Sequence, residues 1–332
     1  MKASSYYKKI AILSLLLGIS CILGICIGPV TIKLSDVISA ILNRNPDVTI
    51  TRIIRTIRIP RVISAVFTGI GLSLSGVLLQ IVMNNSLAAP NIIGVNAGAG
   101  LGVLLILVFF PGHIAFIPWV AFIGALITSL LIYLIAYKTR VSKTTVVLAG
   151  IAITSLWNSI MNSIVLFYPN LSIDVSSFMF GSLSNIRSDR LWWPILYICV
   201  VFVLVLVLKN ALNVLLLGDA LATSLGLNIN GYRFLFIILA STLAGSVVSF
   251  AGLIGFVGLV VPHIGRKIVG NDCRMLLPFS SLLGAFLVVI SDLLGTILFR
   301  PYEIPVGIIL SFLGSPYFIY LLLRKKGGET DA

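Results

Sequence analysis

The sequence predicts an all-α membrane protein of about ten transmembrane helices, and three observations predict it. Hydrophobic residues make up 59% of the 332 and charged residues only 10%, whereas a water-soluble domain carries roughly 25% charge. With a mean hydropathy of +1.14, so few polar groups cannot clothe a surface in water. The solvent must be largely lipid. The apolar residues also fall in runs near the length, about 20 residues, that crosses a hydrocarbon core of about 30 Å. These runs lie at 10–28, 62–83, 92–110, 114–137, 146–168, 191–208, 233–250, 254–270, 276–299 and 304–323.

The first run follows Lys8 and Lys9 and holds Gly18-Ile19-Ser20-Cys21, a faint lipoprotein-like pattern. It lacks an A-x-A site, so it reads as a first crossing and not as a cleaved leader. The second carries Gly69, Ser73 and Gly76; the third carries Gly94, Gly98 and Gly102, four residues apart. Inside a bilayer such small residues let helix backbones approach closely, and packing is the role expected of them. The fourth to seventh runs are uninterrupted. The eighth is the weakest, because Arg266 and Lys267 shorten it and Gly252, Gly255 and Gly258 loosen its start. The ninth and tenth complete one polytopic domain spanning 1–332, with cytoplasmic tails at 1–9 and 324–332 and a cytoplasmic segment at 209–232.

The net charge of +13 would suggest nucleic acid in a soluble protein. Here the basic residues mark loops, and no nucleic-acid-binding pattern accompanies them. With the N-terminus inside, fourteen of the 23 Lys and Arg residues fall on the cytoplasmic side and nine outside, the sign the positive-inside rule requires. Six of the nine crowd one external loop: Lys33, Arg44, Arg52, Arg55, Arg58 and Arg61. Arginines near a helix end can snorkel to headgroups. The repeat of Arg52, Arg55, Arg58 and Arg61 every three residues instead suits one side of a helical turn that meets an acidic partner.

Little else carries chemistry. Cys21, Cys26, Cys199 and Cys273 form no CxxC pair, and His113 and His263 are too few for a metal cluster, so neither disulfide nor metal is expected. There is no phosphate-binding G-x-x-x-x-G-K-[ST] loop, no H-E-x-x-H and no G-x-S-x-G elbow. No cofactor and no enzymatic activity are expected. Ion-coupled carriers keep ionisable groups near the midplane; only Asp292 and Glu303 are candidates, and Asp292 has no evident basic partner in the sequence.

The cytoplasmic stretch from Lys209 to Tyr232 is too long for a turn and contains Leu215-Leu216-Leu217-Gly218-Asp219-Ala220-Leu221-Ala222-Thr223-Ser224-Leu225-Gly226. It reads as short amphipathic helices, with Asp219 at a helix start and Leu221 and Leu225 as an i, i+4 pair fit for a partner's groove. Interfacial helices usually have a basic polar face, and this one has none.

Taken together, several motifs resemble one family. They are Arg58-Ile59-Pro60-Arg61, Ser75-Gly76 with Gln80, Asn85-Ser86-Leu87-Ala88-Ala89-Pro90, Gly94-Val95 with Gly98-Ala99, and Leu217-Gly218-Asp219 with Leu225-Gly226. Gly252 to His263 with Arg266, and Glu303-Ile304-Pro305-Val306-Gly307, continue them. The chain from Ser35 to Arg324 is similar to the type II permeases of ATP-binding-cassette importers for iron-siderophores, haem and vitamin B12.

The resemblance implies a ten-helix fold like that of the vitamin B12 importer permease, in a bacterial cytoplasmic membrane. It implies pairing with a second permease copy or paralogue, two ATP-binding subunits and an extracytoplasmic substrate-binding lipoprotein, and ferric siderophore as the commonest cargo. By the same likeness Leu217, Gly218, Asp219, Ala222, Leu225 and Gly226 dock on the ATPase, and Arg55, Arg58 and Arg61 meet the binding protein. Asn85 matches an inner gate, though helix capping would equally explain it. Gly94, Gly98, Gly102, Pro262, His263, Asp292, Glu303 and Pro305 are expected to be structural. One departure is Thr296, where the family usually has an arginine; Arg300, one turn on, is the candidate replacement. Another is Cys273, where a histidine commonly precedes Arg274.

Overall fold

The computed structural model describes residues 3–42, 47–139, 143–168, 178–184, 186, 188, 191–300 and 302–325. Of the basic residues above, Arg44 lies outside the described residues. The chain is helical: α1 (Ala3–Cys26), α2 (Leu34–Ile41), α3 (Val48–Ile53), α4 (Ile59–Val82), α5 (Val95–Phe109), α6 (Ile117–Thr139) and α7 (Lys143–Phe167). These are followed by α8 (Trp192–Val207), α9 (Lys209–Leu215), α10 (Asp219–Ser224), α11 (Ile229–Ala251), α12 (Val257–Val269), α13 (Cys273–Ile297) and α14 (Val306–Lys325). A π turn at Ile54–Arg58 joins α3 to α4, and a 3₁₀ turn at Pro111–Phe116 precedes α6.

Side chains mark the starts. The Asp47 carboxylate accepts the amides of Thr49 and Ile50 at 2.8 and 3.1 Å and so caps α3. Asn228 accepts the amide of Gly231 ahead of α11 at 3.1 Å, and Asp272 that of Arg274 ahead of α13 at 2.9 Å. Each satisfies a donor that the helix itself cannot. Pro60 sits in the first turn of α4, directly after the π turn, where its fixed φ suits the helix.

Each of the ten apolar runs contains a helix. Among the described residues six helical stretches are long and apolar enough to span a membrane by length and composition, or seven if α8 and α9, bent by 63°, count as one. The shorter apolar helices include α12, whose 13 residues reach about 20 Å at 1.5 Å per residue. Gly252 and Phe256, both with positive φ, delay its start, and α5 is held to 15 residues by the turn at Gly94.

The axis of the molecule is α4, with 19 of its 24 residues buried. Its main neighbours are α13, α11 and α12; α5 and α6 pack on one another and on α11, α7 leans on both, and α14 rests on α13 and α12. Two glycine pairs set the contacts of the axis. Gly69 on α4 lies against the Gly284 backbone of α13, and Gly76 lies against Gly258 of α12, so close that a Cβ on either α4 residue would overlap the opposite carbonyl. Serine hydroxyls add cross-links between helices: Ser75 to the Ala240 carbonyl and Ser241 to Ser129, both at 2.8 Å.

The expected glycine stripe of the third crossing divides in two. Gly98 and Gly102 face α6, at Gly124 with Thr128 and at Val120. Gly94 lies outside the helix, at φ +76°, and makes the turn that leads into α5.

Candidate functional site

At the outer end of α4 the arginine repeat does not form one stripe. The π turn rotates successive side chains apart, so that each reaches a different element. Arg55 donates from Nε and Nη2 to the Ala40 carbonyl at 3.1 and 2.8 Å, and from Nη2 to the Ile41 carbonyl at 3.0 Å. It therefore caps the C-terminus of α2. Arg58 donates to the carbonyls of Ile27 and Val30 at 2.8 and 3.1 Å, closing the turn that leaves α1.

Arg61 turns inward. Its Nε and Nη2 donate to Asp292 Oδ2 and Oδ1 at 2.8 and 3.0 Å, its Nη1 to Glu303 Oε2 at 2.7 Å and its Nη2 to Thr296 Oγ1 at 3.0 Å. A planar guanidinium alone can make this fork. The bonds tie α4, α13 and the approach to α14 at one point, and the Thr296 hydroxyl, donating to the Asp292 carbonyl at 2.9 Å, completes it. Arg58, bonded to the Ile27 and Val30 carbonyls, lies close enough to Asp292 and Glu303 to share their field.

Two expectations change here. Asp292, expected to lack a basic partner, has one in Arg61. Arg58 and Arg61, expected to meet acidic residues on a binding protein, are 5% and 7% exposed and bond within the chain. Arg52, Arg55 and Arg300 remain on the surface. Buried cations must find partners inside the protein, and the sequence spacing of 231 residues between Arg61 and Asp292 hides this one.

At the opposite end of the chain's spans, α9 and α10 form the predicted short helices. Gly218, at φ +91°, turns the chain between them, and Gly226, at φ +78°, ends α10. Ala222 is fully buried, whereas Leu217, Leu221 and Leu225 are 54%, 56% and 63% exposed and form an apolar ridge. Two connections fix the segment to the bundle. Asp219 receives both Nη groups of Arg233 on α11, at 2.7 and 3.1 Å. Asn213 on α9 donates to Asp272 at 2.9 Å and accepts the Cys273 amide at 2.8 Å. Sequence reasoning missed this reciprocal pair, as Asn213 and Asp272 lie 59 residues apart and belong to no shared motif.

Burial pushes the Asp272 carboxyl up, but hydrogen bonds from the Arg274 backbone amide and the Asn213 side chain, with the charges of Arg274 and Lys209, hold the group below the usual carboxylate range.

Below α4, Asn85 accepts the Leu87 amide at 3.0 Å in an Asx turn. Arg266 of α12 donates to Gln80, whose own amide reaches the Gly258 carbonyl. His263, beside Pro262 in α12, meets the ring of Tyr317 on α14 edge-on, with centroids 6.3 Å apart. Pro305 ends the loop before α14 and accepts the Ile308 amide at 3.0 Å.

A helical bundle with six stretches, among the described residues, long and apolar enough to cross a membrane has the architecture of a multi-pass membrane protein. The chain belongs to the FecCD transport family, whose model matches residues 16–324. It is 36% identical over 316 residues to the Fe(3+)-citrate import system permease protein YfmE of Bacillus subtilis, covering 94% of each chain. It is also 36% identical over 326 residues to the probable heme-iron transport system permease protein IsdF of Staphylococcus aureus, covering 96% of this chain and 97% of that one. Among solved structures, a metal-chelate-type ABC transporter in an inward-facing conformation matches with a TM-score of 0.80 at 27% identity, over 96% of this chain and 99% of that one.

Proposed function

We propose that this chain is the permease subunit of a binding-protein-dependent ATP-binding-cassette importer, and that its cargo is a ferric chelate, ferric siderophore first. The observation that carries this reading is the extent of the likeness: the family match runs through 16–324, and relatives alike over nearly the whole chain bear the names of iron-citrate and haem-iron permeases.

In this reading two permeases, identical or paralogous, enclose the path in a bacterial cytoplasmic membrane. Two ATP-binding subunits grip the segment from Leu217 to Gly226, and their closure exchanges an outward opening for an inward one. The exposed Leu217, Leu221 and Leu225 support that assignment. Asn85, in the turn below α4, is assigned to the inner gate. An extracytoplasmic binding protein docks on the outer face, where Arg55 and Arg300 are exposed; Arg58 and Arg61 contribute by holding that face in shape. No bond in the cargo changes.

The test is co-reconstitution of the chain with its partner permease, ATPase and binding protein in vesicles, followed by uptake of radiolabelled ferric chelates. ATP-dependent accumulation is expected, with haem and vitamin B12 as competitors that identify the cargo. The competing reading is an ion-coupled carrier acting alone. It would show uptake down a proton or sodium gradient without any ATPase, abolished by Asp292→Asn. The engagement of Asp292 by Arg61 speaks against it.

A further inference from the structure

The short external helix α2 carries three faces. Val37 and Ala40 are buried against Ile54 and the partly buried Ile50. Ser35, Asp36 and Ser39 form a polar face. Leu34, Ile38, Ile41 and Leu42, at the spacing i, i+4, i+7 and i+8, form a third face that no other described residue buries, with each residue 51–57% exposed. An apolar face of that size, on a helix that already buries another apolar face, requires an occupant.

Its place in the fold names the occupant. α1 ends at Cys26, and the Ile32 amide folds back to the Cys26 carbonyl at 2.9 Å. Arg58 pins the same turn through Ile27 and Val30. α2 therefore begins at the depth where α1 leaves the membrane. The apolar residues near the end of α1, Ile19, Ile22 and Leu23, are exposed as well, on a helix long and apolar enough to cross a membrane, so α2 follows directly on a helix whose exposed apolar side chains suit lipid. Arg55 meanwhile satisfies the last carbonyls of α2, which removes the penalty for placing that helix end in a poorly hydrated layer.

We propose that α2 lies along the outer boundary of the bilayer with Leu34, Ile38, Ile41 and Leu42 bedded among lipid acyl chains, and that Arg55 and Arg58 are the clamps that hold it at that depth. The polar face of α2 carries an aspartate and two serines, with Lys33 at its N-cap as the nearest cation in sequence. Unlike a free interfacial helix, which needs a basic face to reach the membrane, α2 is tethered to α1 by the turn that Arg58 pins. Binding therefore depends on apolar contact and not on anionic headgroups. The proposal rests on membrane embedding alone and holds whatever the cargo.

The test uses the full unmodified chain in phosphatidylcholine vesicles. A carbene-generating phospholipid and, separately, hydroxyl radicals from the water phase label side chains, and peptide mass spectrometry locates the marks. The expected result is carbene labelling at Leu34, Ile38, Ile41 and Leu42 at least about fivefold above Ser35 and Ser39, the reverse order for hydroxyl radicals, and no increase when anionic lipid is added. Equal water-phase labelling of both faces would overturn the proposal. So would loss of carbene labelling on adding a soluble binding protein, which would make the face a protein-docking surface. In Arg55→Ala, the carbene labelling of α2 is expected to fall while that of α1 persists; unchanged labelling would remove the clamp from the proposal.

Discussion

Arg61 and Asp292, 231 residues apart in sequence, meet in a two-pronged ion pair whose bonds measure 2.8 and 3.0 Å, and Glu303 joins them at 2.7 Å. A buried pair adds little over well-packed apolar residues, but removing one partner strands the other charge, at about 3–5 kcal/mol. Arg61→Ala is therefore expected to destabilise the chain by that amount in thermal unfolding in detergent. Arg61→Lys should fall between, since an ammonium cannot fork across two carboxylates. The triple change Arg61→Met, Asp292→Leu, Glu303→Gln should recover most of the loss. Equal melting of the alanine and triple variants would show that stranded charge is not the cause.

The crossing of α4 with α13 turns on Gly69 and Gly284, where backbone meets backbone. Gly69→Ala has no flexible neighbour to displace, and overpacking costs about 1–3 kcal/mol. Gly18 in α1 has nothing within 4 Å of an added Cβ. Gly18→Ala should leave stability unchanged or slightly raised, because alanine is the better helix former by about 1 kcal/mol. Chemical denaturation of the two variants side by side checks the contrast.

On the inner segment, stability and assembly are expected to separate. The Arg233–Asp219 pair is partly exposed, and such pairs contribute about 0–1 kcal/mol, so Arg233→Ala should barely shift the melting temperature. Leu221→Asp places a charge in the centre of the exposed ridge, where an interface anchor contributes about 2 kcal/mol or more. It should abolish co-purification of the proposed ATPase partner while leaving the isolated chain folded. Ala222→Phe, at a fully buried position, should disrupt both. Normal co-purification of Leu221→Asp would count against docking there.

Much of this was legible because lipid imposes a simple rule. Apolar runs near 20 residues must become helices, and all ten runs did, though a late start after Phe256 and the positive-φ stop at Gly270 hold α12 to 13 residues. The short helices around Asp219 were readable for the same reason, through local spacing. What stayed hidden is long-range. Arg52, Arg55, Arg58 and Arg61 have even spacing, but the π turn at Ile54–Arg58 breaks the helical register on which their common face depended. Nothing local in Asp292, Glu303 or Thr296 announces that they converge on Arg61. Polar groups inside a bundle choose partners by helix packing, and that is fixed by contacts such as Gly76 with Gly258, not by neighbours in the chain.

The link between Asn213 and Asp272 gives a pH test of how the inner segment is fastened. Burial raises the Asp272 carboxyl, but the hydrogen bonds from Arg274 and Asn213 and the charges of Arg274 and Lys209 together lower it, so its folded pKa lies below the unfolded value, which is about 4. A depressed carboxylate contributes stability above the unfolded pKa and loses it as pH falls through the folded one. Unfolding measured between about pH 5 and pH 2.5 should therefore show a loss that Asp272→Asn lacks. Asparagine still caps α13, as it ranks with aspartate at that position, so the variant should stay folded at neutral pH. Hydrogen exchange at the Cys273 and Arg274 amides should rise over the same acid window in the wild type alone; identical acid profiles in both proteins would place the fastening elsewhere.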